Sequence, residues 1–126
     1  MILEKIAAST RKRVEVRKKE VPFEKIKAQA EAMETNTGYP FYRALAQEDM
    51  SFICEVKKAS PSKGIIAEKF PYLEIAREYE EAGASAISCL TEPEFFLGKD
   101  QYLKEIAGEV SIPVLRKDFV VDSYQI

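Results

Sequence analysis

Histidine is absent from the 126 residues, and cysteine occurs only twice. Without an imidazole there is no His-based triad, no HExxH zinc site and no histidine general base, so any acid–base work falls to Lys, Glu and Asp. Cys54 and Cys89 share no CxxC spacing and each sits in an apolar, strand-like run, which reads as two reduced core residues rather than a disulfide or metal pair. A reducing, cytoplasmic setting follows as the expectation. No uninterrupted apolar run approaches the ~20 residues a bilayer requires, and the N-terminus lacks a basic-then-apolar leader, so no membrane partner is expected. Charge of neither sign dominates: 19 Lys and Arg against 21 Asp and Glu leave a net charge of -2. That balance gives no field for nucleic acid, and binding has to be argued from local clusters.

What is present is the composition of one soluble globular domain, 46% hydrophobic and 32% charged. From Ile2 to about Lys19 the apolar residues Ile2, Leu3, Ile6, Ala7, Val14 and Val16 are spread among charges, predicting a surface helix with a modest apolar stripe. Its basic stretch, residues 11–19, is interrupted by Glu15 and reads as a solvated helix face. Pro22 opens a second helix over residues 23–34, and the run Asn36, Thr37, Gly38, Tyr39, Pro40 reads as a loop. Thereafter the order is regular: strand 52–57, helix 72–82 with Gly83 as its cap, strand 86–90, helix 99–107 with Gly108 after it, strand 112–116. Strand followed by helix in repetition predicts a parallel sheet covered by crossover helices. Asp122 or Ser123 then caps the start of a further helix. Three parallel strands leave two unpaired edges, so the domain reads as cut short, with self-association through those edges as a hazard.

Two strand ends carry the chemistry. EVKKASPSKG, residues 55–64, follows Phe52, Ile53 and Cys54; the second, IPVLRKDF, occupies residues 112–119. Alternation along a strand puts Ile53, Glu55 and Lys57 on one face, with Phe52, Cys54 and Val56 on the other, packing under helices. In the third strand Leu115, Lys117 and Phe119 share a face, so two ammonium groups and one carboxylate are predicted to converge at one pocket mouth. Asp118 points the other way and reads as a structural partner. The Ser60, Pro61, Ser62, Lys63, Gly64 turn lacks Walker spacing and reads as a βα loop able to touch substrate. After the second strand, Phe95 and Phe96 stand adjacent in a loop where both are hard to bury, so one is expected to face a ligand or a covering segment.

Taken with the opening ILEKI, the segment AGASAISCLTEPEFFLG and the final SIPVLRKDFVVDSYQI, these motifs resemble the indole-3-glycerol phosphate synthase family over nearly the whole chain. The resemblance implies a (β/α)8 (TIM) barrel, here truncated, with residues 1–50 as an N-terminal helical extension and residues 51–126 as about the first three βα units. It implies ring closure with decarboxylation of 1-(2-carboxyphenylamino)-1-deoxyribulose 5-phosphate, a sugar phosphate bearing an anthranilate ring, with no metal or organic cofactor. Lys117 resembles the general acid, Lys57 the second cationic group and Glu55 the residue positioning it. Ser60 and Pro61 resemble substrate contacts of the first loop, and Phe96 and Phe119 the aromatic walls. Ala59 stands where some relatives carry a further basic residue. The general base and phosphate site of the family fall outside these residues, so the chain alone is expected to be inactive. A non-enzymatic half-barrel pairing through its sheet edges is the alternative.

Overall fold

The computed structural model describes residues 1–126, which divide into two compact units: Met1–Thr37 together with Phe119–Ile126, and Gly38–Asp118. In the first, helices α1 (Ile2–Glu20) and α2 (Phe23–Glu31) are joined by the C-terminal segment, which ends in a 3-10 turn over Ser123–Gln125. Along α1, Ile6, Thr10 and Val14 are buried at a spacing of four, one stripe of the helix. Ile2, Leu3 and Val16, which the sequence also assigns to that stripe, are exposed. The Thr10 hydroxyl donates to the Ile6 carbonyl, which satisfies it inside the stripe. Glu4 in the first turn and Arg17, Lys18 and Lys19 in the last complement the helix dipole.

The C-terminal segment is tied to the end of α1 by specific polar contacts. Lys18 Nζ donates to Asp122 Oδ2 at 2.7 Å, and the Tyr124 hydroxyl lies 2.7 Å from the Val21 carbonyl and 3.2 Å from that of Arg17. The Arg17 carbonyl also accepts from Val21 N at 2.8 Å, so the phenol adds a second donor at the end of the helix. The Lys18 hydrogen bond holds the Asp122 carboxyl below its usual range and raises Lys18 in return. Asp122 also caps the 3-10 turn, accepting from Tyr124 N at 2.8 Å. The expected capping residue is therefore confirmed, on a 3-10 turn.

The second unit begins with a helix the sequence reading misses, α3 (Pro40–Leu45). Tyr39 precedes it in the left-handed region at φ 51°, and the Arg43 guanidinium donates to the Gly38 carbonyl at 2.6 Å. Pro40 starts this helix rather than closing a loop, the first-turn role in which its missing N–H costs nothing.

Next come β1 (Ile53–Val56), a hairpin of two-residue strands β2 (Ala59–Ser60) and β3 (Gly64–Ile65), α4 (Tyr72–Glu81), β4 (Ala86–Leu90), α5 (Asp100–Glu109) and β5 (Val114–Lys117). β1, β4 and β5 form the predicted parallel sheet in the order β1-β4-β5, leaving β1 and β5 as its outer strands. The antiparallel hairpin, with Gly64 at φ 64°, replaces the irregular loop expected after β1. Ala82 caps α4, with Gly83 following at φ 97°. Gly108, expected to end α5, lies inside it; the helix closes on the extended Val110 instead.

Register decides which residues share a face. Cys54, Ile87 and Val114 pair across the sheet, as do Val56, Cys89 and Arg116, and these rows face α4 and α5. Val56, Ile87 and Cys89 join Ala76 of α4 and Tyr102, Ile106 and Val110 around α5 in the core cluster. Full burial of Ile87 and Ile106 contributes about 1.5–3 kcal/mol each. The opposite rows are Ile53 with Ala86, Glu55 with Ser88 and Leu115, and Leu90 with Lys117. On that face the outer strands stay open, Ile53 at 48% and Leu115 at 42% exposure. Both cysteines are free, and burial pushes the Cys89 thiol up to about 11, which makes it a packing residue.

Candidate active site

Glu55 sits in β1 with its side chain on the face turned away from the helices, and Lys117 ends β5 on that same face. β4 lies between the two strands, so their backbones stand about 10 Å apart, two ladder spacings. The long lysine stem closes this gap. Lys117 Nζ donates to Glu55 Oε2 at 2.7 Å, and Lys57 Nζ lies 3.6 Å from Glu55 Oε1. One carboxylate therefore gathers both amines at the carboxyl end of the parallel sheet, the end where α/β folds place ligands. The geometry brings Glu55, Lys57 and Lys117 together as the alternation pattern predicts.

The group remains partly open to solvent: side-chain exposure is 27% for Glu55, 33% for Lys57 and 52% for Lys117. Ion pairs this accessible contribute at most about 1 kcal/mol to folding, so the arrangement has little to do with stability. Its chemical potential lies elsewhere: two proton donors and a carboxylate are held beside a sheet mouth, ready for an anionic or carbonyl-bearing ligand.

Two further side chains fix this constellation from outside it. The Tyr79 hydroxyl of α4 donates to the Glu55 carbonyl at 3.0 Å, and burial raises its pKa, which keeps the phenol a donor. At the end of β4 the Thr91 N–H donates to the Lys117 carbonyl at 3.1 Å, and its hydroxyl reaches Asp118 Oδ2 at 2.6 Å. Asp118 is thus a structural partner, as expected. Thr91 and Tyr79 carried no sequence signal for these contacts, because neither belongs to a periodic pattern on the site face.

Ser60 and Pro61 stand in the hairpin after β1, and Phe96 in the loop after β4, so all three belong to loops at the carboxyl end of the sheet. Ser60 is buried and its oxygen accepts from Lys63 N at 3.3 Å, while Pro61 is exposed. Phe96 is half-buried. Phe119 belongs to the other compact unit, where its carbonyl accepts from Gln125 Nε2 at 2.9 Å. Glu92, which the sequence reading left without a role, is fully buried, and its carboxylate accepts main-chain N–H groups of its own loop. An acidic residue directly after an apolar strand and before a turn was the available signal, since such side chains cap exposed N–H groups. No cluster of three His, Cys, Asp or Glu side chains is arranged to hold a metal ion. No helix is long and apolar enough to cross a membrane.

Residues 3–126 match the sequence profile described as indole-3-glycerol phosphate synthase. Three curated proteins named indole-3-glycerol phosphate synthase align with the whole of this chain: 60% identical in Ruminiclostridium cellulolyticum, 56% in Endomicrobium trichonymphae and 49% in Lachnoclostridium phytofermentans. In each case the chain spans about half the relative's length, 48%, 49% and 51% respectively.

Proposed function

The chain belongs to the indole-3-glycerol phosphate synthase family, and on that premise we propose that it is the first half of such an enzyme, carrying the acid side of its active site. Glu55 held between Lys117 at 2.7 Å and Lys57 at 3.6 Å is the observation that carries this reading. The substrate is 1-(2-carboxyphenylamino)-1-deoxyribulose 5-phosphate, a small sugar phosphate with an anthranilate ring. The ring carbon bearing the carboxylate bonds to the ketone carbon, and the carbonyl electron pair moves to oxygen, which takes a proton from the Lys117 ammonium. The ring nitrogen becomes an iminium. That cation accepts the electron pair released as the carbon–carboxylate bond breaks and carbon dioxide leaves, so no metal or organic cofactor is required. Loss of the new hydroxyl as water, with proton removal, then gives the indole.

In this scheme Lys57 faces the substrate carboxylate and assists the later proton transfers, with Glu55 positioning both amines. Ser60 and Pro61 contact substrate from the first loop, and Phe96 flanks the aromatic ring. The parallel three-stranded sheet is consistent with the opening strands of a (β/α)8 barrel, the fold the family implies. The enzyme works in the cytoplasm and takes neither nucleic acid nor a membrane as partner. A second reading, a half-barrel that self-associates, is favoured by the open outer strands β1 and β5, and sedimentation of the isolated chain separates the two.

The test is the appearance of indole fluorescence after substrate is added to the full-length protein. Turnover is expected from the wild type, and Lys117→Met should lower kcat by roughly 10²–10⁴-fold, the range for loss of a general acid. Lys117→Met activity equal to wild type would overturn the assignment of the acid.

A further inference from the structure

Glu92 is the only Asp, Glu, Lys or Arg side chain of the chain that is buried, at 0% exposure. Taking a carboxylate out of water is costly unless donors replace the lost hydration. Here the donors are consecutive main-chain groups: Glu94 N at 3.1 Å from Oε1, and Phe95 N and Phe96 N at 2.7 and 3.0 Å from Oε2. The Glu92 carbonyl accepts from Gly98 N at 2.8 Å, closing the same loop from its far end. Between these anchors Leu97 takes a left-handed φ of 53°, and a Cβ on Gly98 would stand 2.4 Å from the Leu90 carbonyl oxygen. Backbone and side chain thus constrain this one loop at both ends and in its middle.

A link from β4 to α5 needs no buried acid; a turn of small residues would serve. What this loop carries is the pair Phe95 and Phe96, both half-buried. Aromatic rings interact in offset or edge-on arrangements, so a wall against a ligand ring is useful only if its backbone is held. We propose that Glu92 is the positioning residue of the aromatic wall: through the N–H groups of residues 94–96 it sets Phe96 against the substrate's anthranilate ring. This inference rests on the proposed function. Glu92 performs no proton transfer in it, since its oxygens are committed to main-chain donors.

The experiment is steady-state kinetics on the full-length protein with Glu92→Gln, Phe96→Leu and the double variant. Gln keeps the volume but turns an NH2 group toward N–H donors. Glu92→Gln should raise KM for the anthranilate-bearing substrate roughly tenfold to a hundredfold, with kcat much less affected. Inhibition by inorganic phosphate, which lacks the ring, should stay within about twofold of wild type, a split that general loosening of the fold would not produce. Added to Phe96→Leu, the Gln substitution should change KM by less than about threefold, because the two act as one unit. An unchanged KM in Glu92→Gln, phosphate inhibition that weakens in step with KM, or fully additive losses would each overturn the proposal. Should Glu92→Gln fail to fold, Phe96→Leu decides alone: a KM equal to wild type removes the wall and with it the role of Glu92. A wild-type protein without turnover sinks the functional reading first, and this inference with it.

Discussion

Glu55 accepts Lys117 on one oxygen and lies against Lys57 on the other, so neutralising this single side chain releases two amines at once. Glu55→Gln in the full-length protein should lower kcat about 10²-fold, the scale of a misplaced catalytic group. Its thermal midpoint should move by no more than about 4 °C, since pairs this exposed contribute little to folding. A large loss of stability with activity intact would show the pair to be structural. This trio was legible in the sequence, because two-residue alternation puts Glu55 and Lys57 on one face of their strand and sets Lys117 on the side away from the apolar Val114 in its own. Thr91 and Tyr79 were not legible as site-fixing residues. Their contacts run to main-chain atoms of loops and strand ends, and no spacing in a sequence encodes where a carbonyl will stand.

Among the elements, the helices and strands with clear periodicity were readable to within a residue or two, as β4 and α4 illustrate. α3 escaped because six residues hold less than two turns of pattern, and the hairpin because two-residue strands have no alternation to detect. Gly108 misled in the same way: composition suggested a helix end, but packing of Tyr102, Ile106 and Val110 carries α5 past it. The joint between α5 and β5 shows how elements are secured. Glu80 of α4 accepts from Ser111 Oγ at 2.7 Å, Ser111 N at 2.8 Å and Ile112 N at 3.0 Å, led by the serine hydroxyl, and these hold its carboxyl below the usual range. A depressed folded-state pKa means that the contribution is present above the unfolded value, about 4.3, and is lost as pH falls through the folded one. The thermal midpoint of the isolated chain should therefore exceed that of Glu80→Gln at neutral pH, with the difference shrinking as pH drops below about 4. A difference constant from pH 7 to pH 3 would contradict this account of the joint.

Over the whole molecule, the return of the last residues to α1 was beyond sequence reading, because Lys18 and Asp122 meet across 104 positions and share no motif. The parallel sheet was foreseen, as were its two unpaired outer strands. These strands bring together two ammonium groups and one carboxylate, the acid side of the proposed reaction, in a chain half as long as its curated relatives. On the proposed reading the general base and the phosphate donors lie outside this chain, and losing them costs several orders of magnitude in rate. The most direct measurement is indole fluorescence from the 126-residue chain given substrate on its own, beside the full-length protein at equal concentration. The account predicts product from the full-length protein and no signal above the enzyme-free blank from the chain. Sustained product formation by the chain alone would contradict it.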